Sequence, residues 1–224
     1  MKNTIVFALA AGVGSLVLAS AASADVGLSV DMIHLGNTGG VGGQAADVAT
    51  YRVYANMDAG WRLDAVYGNA ENPLGIHAAD GSSFYQNTFG GDTSMMINPG
   101  LLAVFTSLVY DSWVTIGLTD STGNALNTVG DTFDNFVETS NGSWFVTPDD
   151  AQGEEVGGRV LLGQFSVLNG SGDLATDFST MTVSLQGKDA NGDTWNVGSL
   201  NAIPAPGALA LLGVAGLVAR RRRR

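Results

Sequence analysis

Residues 25–203 of this chain predict an all-β fold, an antiparallel β-sandwich or jelly roll, and three observations carry the prediction. Apolar side chains recur with period two rather than 3.6, the spacing that places them on one face of a strand. The alternating segments are separated by Gly, Asn, Asp and Ser, the residues that turn a chain. Acidic usage is lopsided, with 17 Asp to 4 Glu. Asp bonds its own backbone in turns whereas Glu suits helices, so the bias points to loops joining strands.

The alternation runs along the chain. Val26, Leu28 and Val30 alternate with Gly27, Ser29 and Asp31, and Tyr51, Val53 and Ala55 alternate with Arg52, Tyr54 and Asn56. Trp61, Leu63, Ala65 and Tyr67 follow after Asp58-Ala59-Gly60, which predicts a turn between the second and third strands. Further strands are predicted at Trp113–Ile116, Ser143–Val146, Val160–Leu168, Met181–Leu185 and Thr194–Val197. Asn191-Gly192, between the last two, predicts a two-residue hairpin. Leu101–Tyr110 follows Pro99-Gly100 and fits helix or strand equally. No fixed-period repeat and no linker run divides 25–203, so one domain is expected.

Charge narrows the function classes. Within 25–203 the basic residues are Arg52, Arg62, Arg159 and Lys188, against all 21 acidic residues, a net charge of −17. Such a surface repels phosphate backbones, so no nucleic-acid partner is expected. The chain has no cysteine, which removes disulfides, thiol nucleophiles and thiolate metal sites.

Catalytic patterns are not found. The histidines are His34 and His77, neither spaced with a nucleophile, and no G-x-S-x-G elbow occurs. The glycine-rich 36–43 segment fits no phosphate-binding motif and reads as a surface loop. Asp149-Asp150 and Glu154-Glu155, around Gly153, read as a solvated loop. Trp61, Trp113 and Trp144 could stack on sugars, yet each lies in an alternating strand where burial is commoner. Asp189, Asn191 and Asp193 copy the first ligand positions of a calcium loop, but Thr194 and Leu200 replace the glycine and glutamate that complete it. A hairpin turn is therefore the expectation there, with calcium as the alternative. Asp131, Asp134 and Glu138 form a second acidic cluster of the same kind.

The two ends carry different signals. Met1-Lys2-Asn3, an apolar run from Ile5 to Ala19, and Ala22-Ser23-Ala24 before Asp25 predict a signal helix, residues 1–24, cut after Ala24 by a signal peptidase following Sec export. Residues 204–224 open with Pro204-Ala205-Pro206-Gly207, continue as an apolar run to Ala219, and end in Arg220, Arg221, Arg222, Arg223 and Arg224. Thirteen apolar residues span about 20 Å as a helix, short of the roughly 30 Å hydrocarbon core. Each Arg costs roughly 2.5–3.5 kcal/mol at the membrane centre, so the cluster stays in the cytoplasm and residues 25–203 face outward.

This tail resembles the PEP-CTERM sorting signal, which joins Pro-Glu-Pro, an apolar helix and an Arg cluster. Pro204 and Pro206 match the two prolines, Gly207–Ala219 the helix and Arg220–Arg224 the basic end, with Ala205 in the place of the Glu. The resemblance implies processing by an exosortase near Pro204–Pro206. Segments of the body, Tyr51–Ala55, Asp111–Gly117 and Trp144–Gly153, resemble the exported β-rich domains found before such tails, which supports the fold class and implies no activity. The expectation is a non-enzymatic protein without a cofactor, held briefly at the inner membrane by its tail, then delivered to the cell surface or extracellular matrix. The alternative is a secreted carbohydrate-binding or polysaccharide-acting protein with the same tail.

Overall fold

A computed structural model describes residues 26–40, 45–130, 132–133 and 135–203 of the 224-residue chain. The cleavage residues Ala22, Ala24 and Asp25, the Pro204–Gly207 motif, the Arg220–Arg224 cluster and the acidic Asp131 and Asp134 lie outside the described residues. Both flanking helices expected from the sequence do so as well.

The described chain is all-β, built of two antiparallel sheets with few, short helices. In chain order the elements are β1 (Gly27–Asn37), β2 (Asp47–Asn56), β3 (Arg62–Gly68), β4 (Leu74–Ala78), α1 (Pro99–Leu102) and β5 (Trp113–Val114). Then come β6 (Asn127–Val129), β7 (Thr132–Phe133), β8 (Phe136–Thr139), β9 (Gly142–Phe145) and β10 (Arg159–Leu168). The chain closes with α2 (Leu174–Asp177), β11 (Phe178–Lys188) and β12 (Thr194–Asn201). Among the described residues, no helix is long and apolar enough to cross a membrane.

The first sheet has the order β1-β2-β10-β5. The second is built around β11, which pairs with β12 on one edge and with both β3 and β4 on the other. Register explains how one strand holds two partners on one edge. β3 lies beside Ser184–Lys188 and β4 beside Phe178–Thr182, so the two are halves of one interrupted line. The break is made by residues 69–73: the Asn69 carbonyl side chain accepts from the amides of Glu71 and Asn72, and Pro73 has no N–H for the ladder. β9 and β8 pair with β3 and β4 in the same end-to-end manner, and β6 and β7 pair with them in turn. The sequence did not predict β4 or β6–β8, each of five residues or fewer.

Alternation along β2 sends Ala49, Tyr51, Val53 and Ala55 into a core shared by both sheets. There they meet Val66, Ile76, Val137, Trp144, Met181 and Leu185 from the second sheet. An aromatic cluster of Phe84, Phe133, Phe165 and Phe178 brings residues of the two sheets into contact, with neighbouring ring centroids 5.3–6.2 Å apart. The Trp144 indole, fully buried, donates to the Thr115 carbonyl at 2.9 Å, tying β9 to the segment after β5.

β10 is buried on both faces, which is why it reads as a nearly unbroken apolar run. Its outer face is covered by a cap, residues 94–110, which includes the ambiguous Leu101–Tyr110 segment; it forms α1 flanked by short 3₁₀ helices. Ile97 and Leu108 of the cap pack on Trp113 and Leu161. Gln164 Nε2 donates to the carbonyls of Val109 and Asp111, at 2.9 and 2.8 Å, and fastens the cap to the sheet.

Asp111 anchors the start of that cap from within. Its carboxylate is fully buried and accepts from the amides of Asn87, at 2.6 Å, and Gly91, at 2.9 Å. Burial pushes its pKa up to about 7, although backbone N–H groups of Asn87, Gly91 and Ser112 oppose the rise. The folded protein therefore holds a proton that the unfolded chain releases near pH 4. The Asp111 contribution to stability is fully present below about pH 4 and falls as pH rises through about 7, by up to about 4 kcal/mol. Urea unfolding across pH 4–8 is expected to show this decline in the parent protein. Asp111→Asn is expected to remove that slope, whatever its effect on the absolute midpoint.

Candidate functional site

A groove of about 500 Å³ opens where the turn before β3 meets the hairpin between β11 and β12. Asp58-Ala59-Gly60 makes the expected turn, with Gly60 at φ +79° and the Trp61 amide bonded to the Asp58 carbonyl. The predicted hairpin also forms, but Lys188 pairs with Thr194, so its connection is the five residues 189–193 rather than two. Asp189 accounts for the difference: its Oδ1 accepts from the amides of Asn191 and Asp193 at 2.8 and 2.9 Å, closing a wider turn than Asn-Gly alone would make.

Register sets the groove walls. Arg62 faces Lys188 across β3 and β11, bringing two of the body's four cations side by side. Arg62 Nη2 pairs with Asp149, and its Nε lies 3.3 Å from Asp64 Oδ1 without hydrogen-bond alignment. Burial raises the Asp64 pKa, and the Arg62 and Lys188 charges only partly oppose it. Glu155 joins two turns, accepting from the Gly60 amide at 3.1 Å and the Gly158 amide at 2.6 Å; these bonds hold its carboxyl below the usual range.

The apolar side of the groove comes from Trp61, half-buried and stacked on Trp195 with ring centroids 5.7 Å apart and 27° between planes. Gly187, the register partner of Trp195, makes the stack possible, because a Cβ there would overlap the indole and the Arg62 carbonyl. The four tryptophans thus divide. Trp113 and Trp144 are core residues, whereas Trp61 lines the groove with Trp195 stacked on it.

The acidic residues singled out in the sequence mostly serve the fold here. Asp149 balances Arg62, Asp150 caps the short turn at Ala151–Gly153 by accepting from the Gln152 amide, and Glu155 latches Gly60 to Gly158. Asp189, Asn191 and Asp193 do come together at the hairpin tip, but the Asp189 carboxylate is turned onto backbone amides, which lower its pKa. Among the described residues no group of three or more His, Asp or Glu is placed to hold a metal ion. Because the tip is closed by its own N–H groups, the melting midpoint is expected to be the same in millimolar calcium and in chelator. A rise of several degrees with calcium would assign the tip a cation.

The histidines are apart from this groove and from each other. His77 lies in a shallower concavity of about 460 Å³ on the second sheet, its Nε2 3.2 Å from Glu138 and its ring stacked on Phe136. His34, on β1, packs against Tyr110 with ring centroids 4.2 Å apart, and its buried Nε2 has no hydrogen-bond partner. Comparison of the chain with family models, curated proteins and solved structures finds no match.

Proposed function

We propose that this chain is an exported protein of the bacterial cell surface or extracellular matrix without enzymatic activity. Its N-terminal signal delivers residues 25–203 across the inner membrane, where they form a β-sandwich. Its tail holds that body at the membrane until an exosortase acts near Pro204–Pro206. The observation that carries the reading is the placement of the outermost strands. β1 opens at Gly27 and β12 closes at Asn201, immediately inside Asp25 and Pro204, so the body completes its sheets between the two signals. A surface of net charge −17 suits a protein that stays dispersed outside the cell. Mass spectrometry of the protein recovered from its own cells tests the proposal. The expected chain begins at Asp25 and ends near Pro204–Pro206 without the arginines; an intact Arg224 terminus in the membrane fraction would contradict the sorting step.

One observation favours a second reading, a polysaccharide ligand in the groove. Trp61 offers a partly exposed indole beside Arg62, Lys188 and several carboxylates, the mixture of apolar face and hydrogen-bonding groups that sugars require. Titrating the protein with candidate polysaccharides while following tryptophan fluorescence tests it. Binding lost in Trp61→Ala supports the reading, and no response across the set sinks it.

A further inference from the structure

Residues 25–203 hold three arginines, and two of them line one cleft of about 400 Å³ between residues 117–119 and the segment 151–160. Alternation along β2 turns Arg52 and Tyr54 away from the core and into this cleft. Arg159 stacks its guanidinium on the Tyr54 ring, 3.9 Å from the centroid, and its Nη1 donates to Asp31 at 2.8 Å. Arg62, outside the cleft, pairs with Asp149. Arg52 differs from both. Its register partner on β1 is Asp31, but that carboxylate is turned to Arg159. Among the described residues no carboxylate lies within ion-pair distance of Arg52. Its Nε donates to Gln164 Oε1 at 3.1 Å, and Gln164 is itself held by the Val109 and Asp111 carbonyls. The guanidinium is therefore fixed along one side, while its Nη groups have no acceptor among the described residues. The cap packed beside it carries no charged side chain from Thr93 to Tyr110.

We propose that this cleft binds an acidic sugar, with the carboxylate of a uronic acid unit seated on the Nη groups of Arg52. A half-buried guanidinium left unpaired among 21 acidic residues is a cation reserved for something else. Its planar fork, held at one edge and open at the other, matches the two oxygens of a carboxylate. Remote carboxylates of the body matter little, because physiological salt screens exposed charges beyond about 8 Å. Two acids are near. Asp31 is compensated by Arg159, and Glu154, exposed at the lip of the cleft, opposes the ligand. The remaining walls suit a sugar ring, with Leu118 and Val156 apolar and the Thr119 hydroxyl beside them. A bare inorganic anion would use the guanidinium alone and gain nothing from those walls. The saccharide class rests on the proposed place of the chain outside the cell; the anionic group does not.

Calorimetric titration of the full chain in a neutral detergent with trigalacturonate, maltotriose and sulfated maltotriose tests the proposal. Trigalacturonate is expected to bind about tenfold or more tighter than uncharged maltotriose, and Arg52→Gln to lose that advantage. Val156→Asp places a like charge on the cleft wall at a position 81% exposed. It is expected to weaken trigalacturonate about threefold or more while leaving the melting midpoint unaltered. Glu154→Gln removes the opposing charge and is expected to tighten binding about twofold. Equal affinity for the charged and uncharged trisaccharides, or no binding of either, would overturn the proposal. So would trigalacturonate binding that survives both Arg52→Gln and Val156→Asp. Binding of sulfated maltotriose alone would overturn the carboxylate and assign the cleft a sulfate ester. Failure here leaves the export reading standing, because the termini of the protein recovered from its own cells test that separately.

Discussion

Asp177→Ala is expected to cost about 3–5 kcal/mol, a large share of the stability of a domain this size. The carboxylate is buried and accepts four hydrogen bonds. Tyr51 Oη donates to Oδ2 at 2.6 Å and the Gly172 amide at 3.0 Å, while the amide and hydroxyl of Ser171 both reach Oδ1 at 2.7 Å. Truncation strands those donors, and Tyr51 is a buried member of the core. Asp177→Asn keeps the shape but turns an amide N–H₂ toward donors, so an intermediate loss of about 2 kcal/mol is expected. Urea midpoints of the two variants check both figures.

The same site sets the behaviour in acid. Burial raises the Asp177 pKa, but the bonds from Tyr51, Ser171 and Gly172 outweigh burial and hold it below the ordinary carboxylate range. A depressed folded pKa means that the contribution is present above about pH 4 and lost as pH falls through the folded value. This runs opposite to Asp111, whose contribution is lost as pH rises toward about 7. Between them they predict a stability maximum in mildly acidic solution. Asp177→Asn flattens the acid side and Asp111→Asn the other.

Trp144→Ala is the second large effect, at about 3–5 kcal/mol. The side chain is fully buried in the core and satisfies the Thr115 carbonyl. Trp144→Phe retains most of the ring volume while leaving that carbonyl without its donor, so about 1–3 kcal/mol is expected. Trp61→Ala removes a half-buried ring at the groove and is expected to cost only about 1 kcal/mol, so the groove can be altered in a folded protein. Guanidinium unfolding of the three variants separates these values. A Trp144→Ala chain as stable as Trp61→Ala would mean that the two sheets do not share the core described.

Tyr51–Asn56 of β2 could be read from the sequence because buried and half-buried residues alternate there, whereas Val48–Tyr51 are buried on both faces. β6, β7 and β8 are two to four residues long, too short for any period to show, and exist because β9 and β4 offer them a ladder. Leu101–Tyr110 was ambiguous for a physical reason. It is neither a strand nor a long helix but a cap that packs Leu108 on the sheet and leaves Val104 and Val109 exposed, and 3₁₀ turns leave no clean 3.6 period. At the groove, the acidic residues and Trp61 were visible as residue types, but their partners were not. Gly60 and Glu155 are 95 positions apart, and Tyr51 and Asp177 are 126 apart, so only strand register brings them together. The hairpin length was misjudged because Asn191-Gly192 is a local signal, whereas Asp189 competes by bonding two amides further on.

The side of the membrane on which residues 25–203 fold is tested most directly by fractionating the native cells and identifying the N-terminal peptide of the protein in each fraction. A body outside the cytoplasm whose first residue is Asp25 is the predicted result. A cytosolic body that still carries residues 1–24 would contradict it.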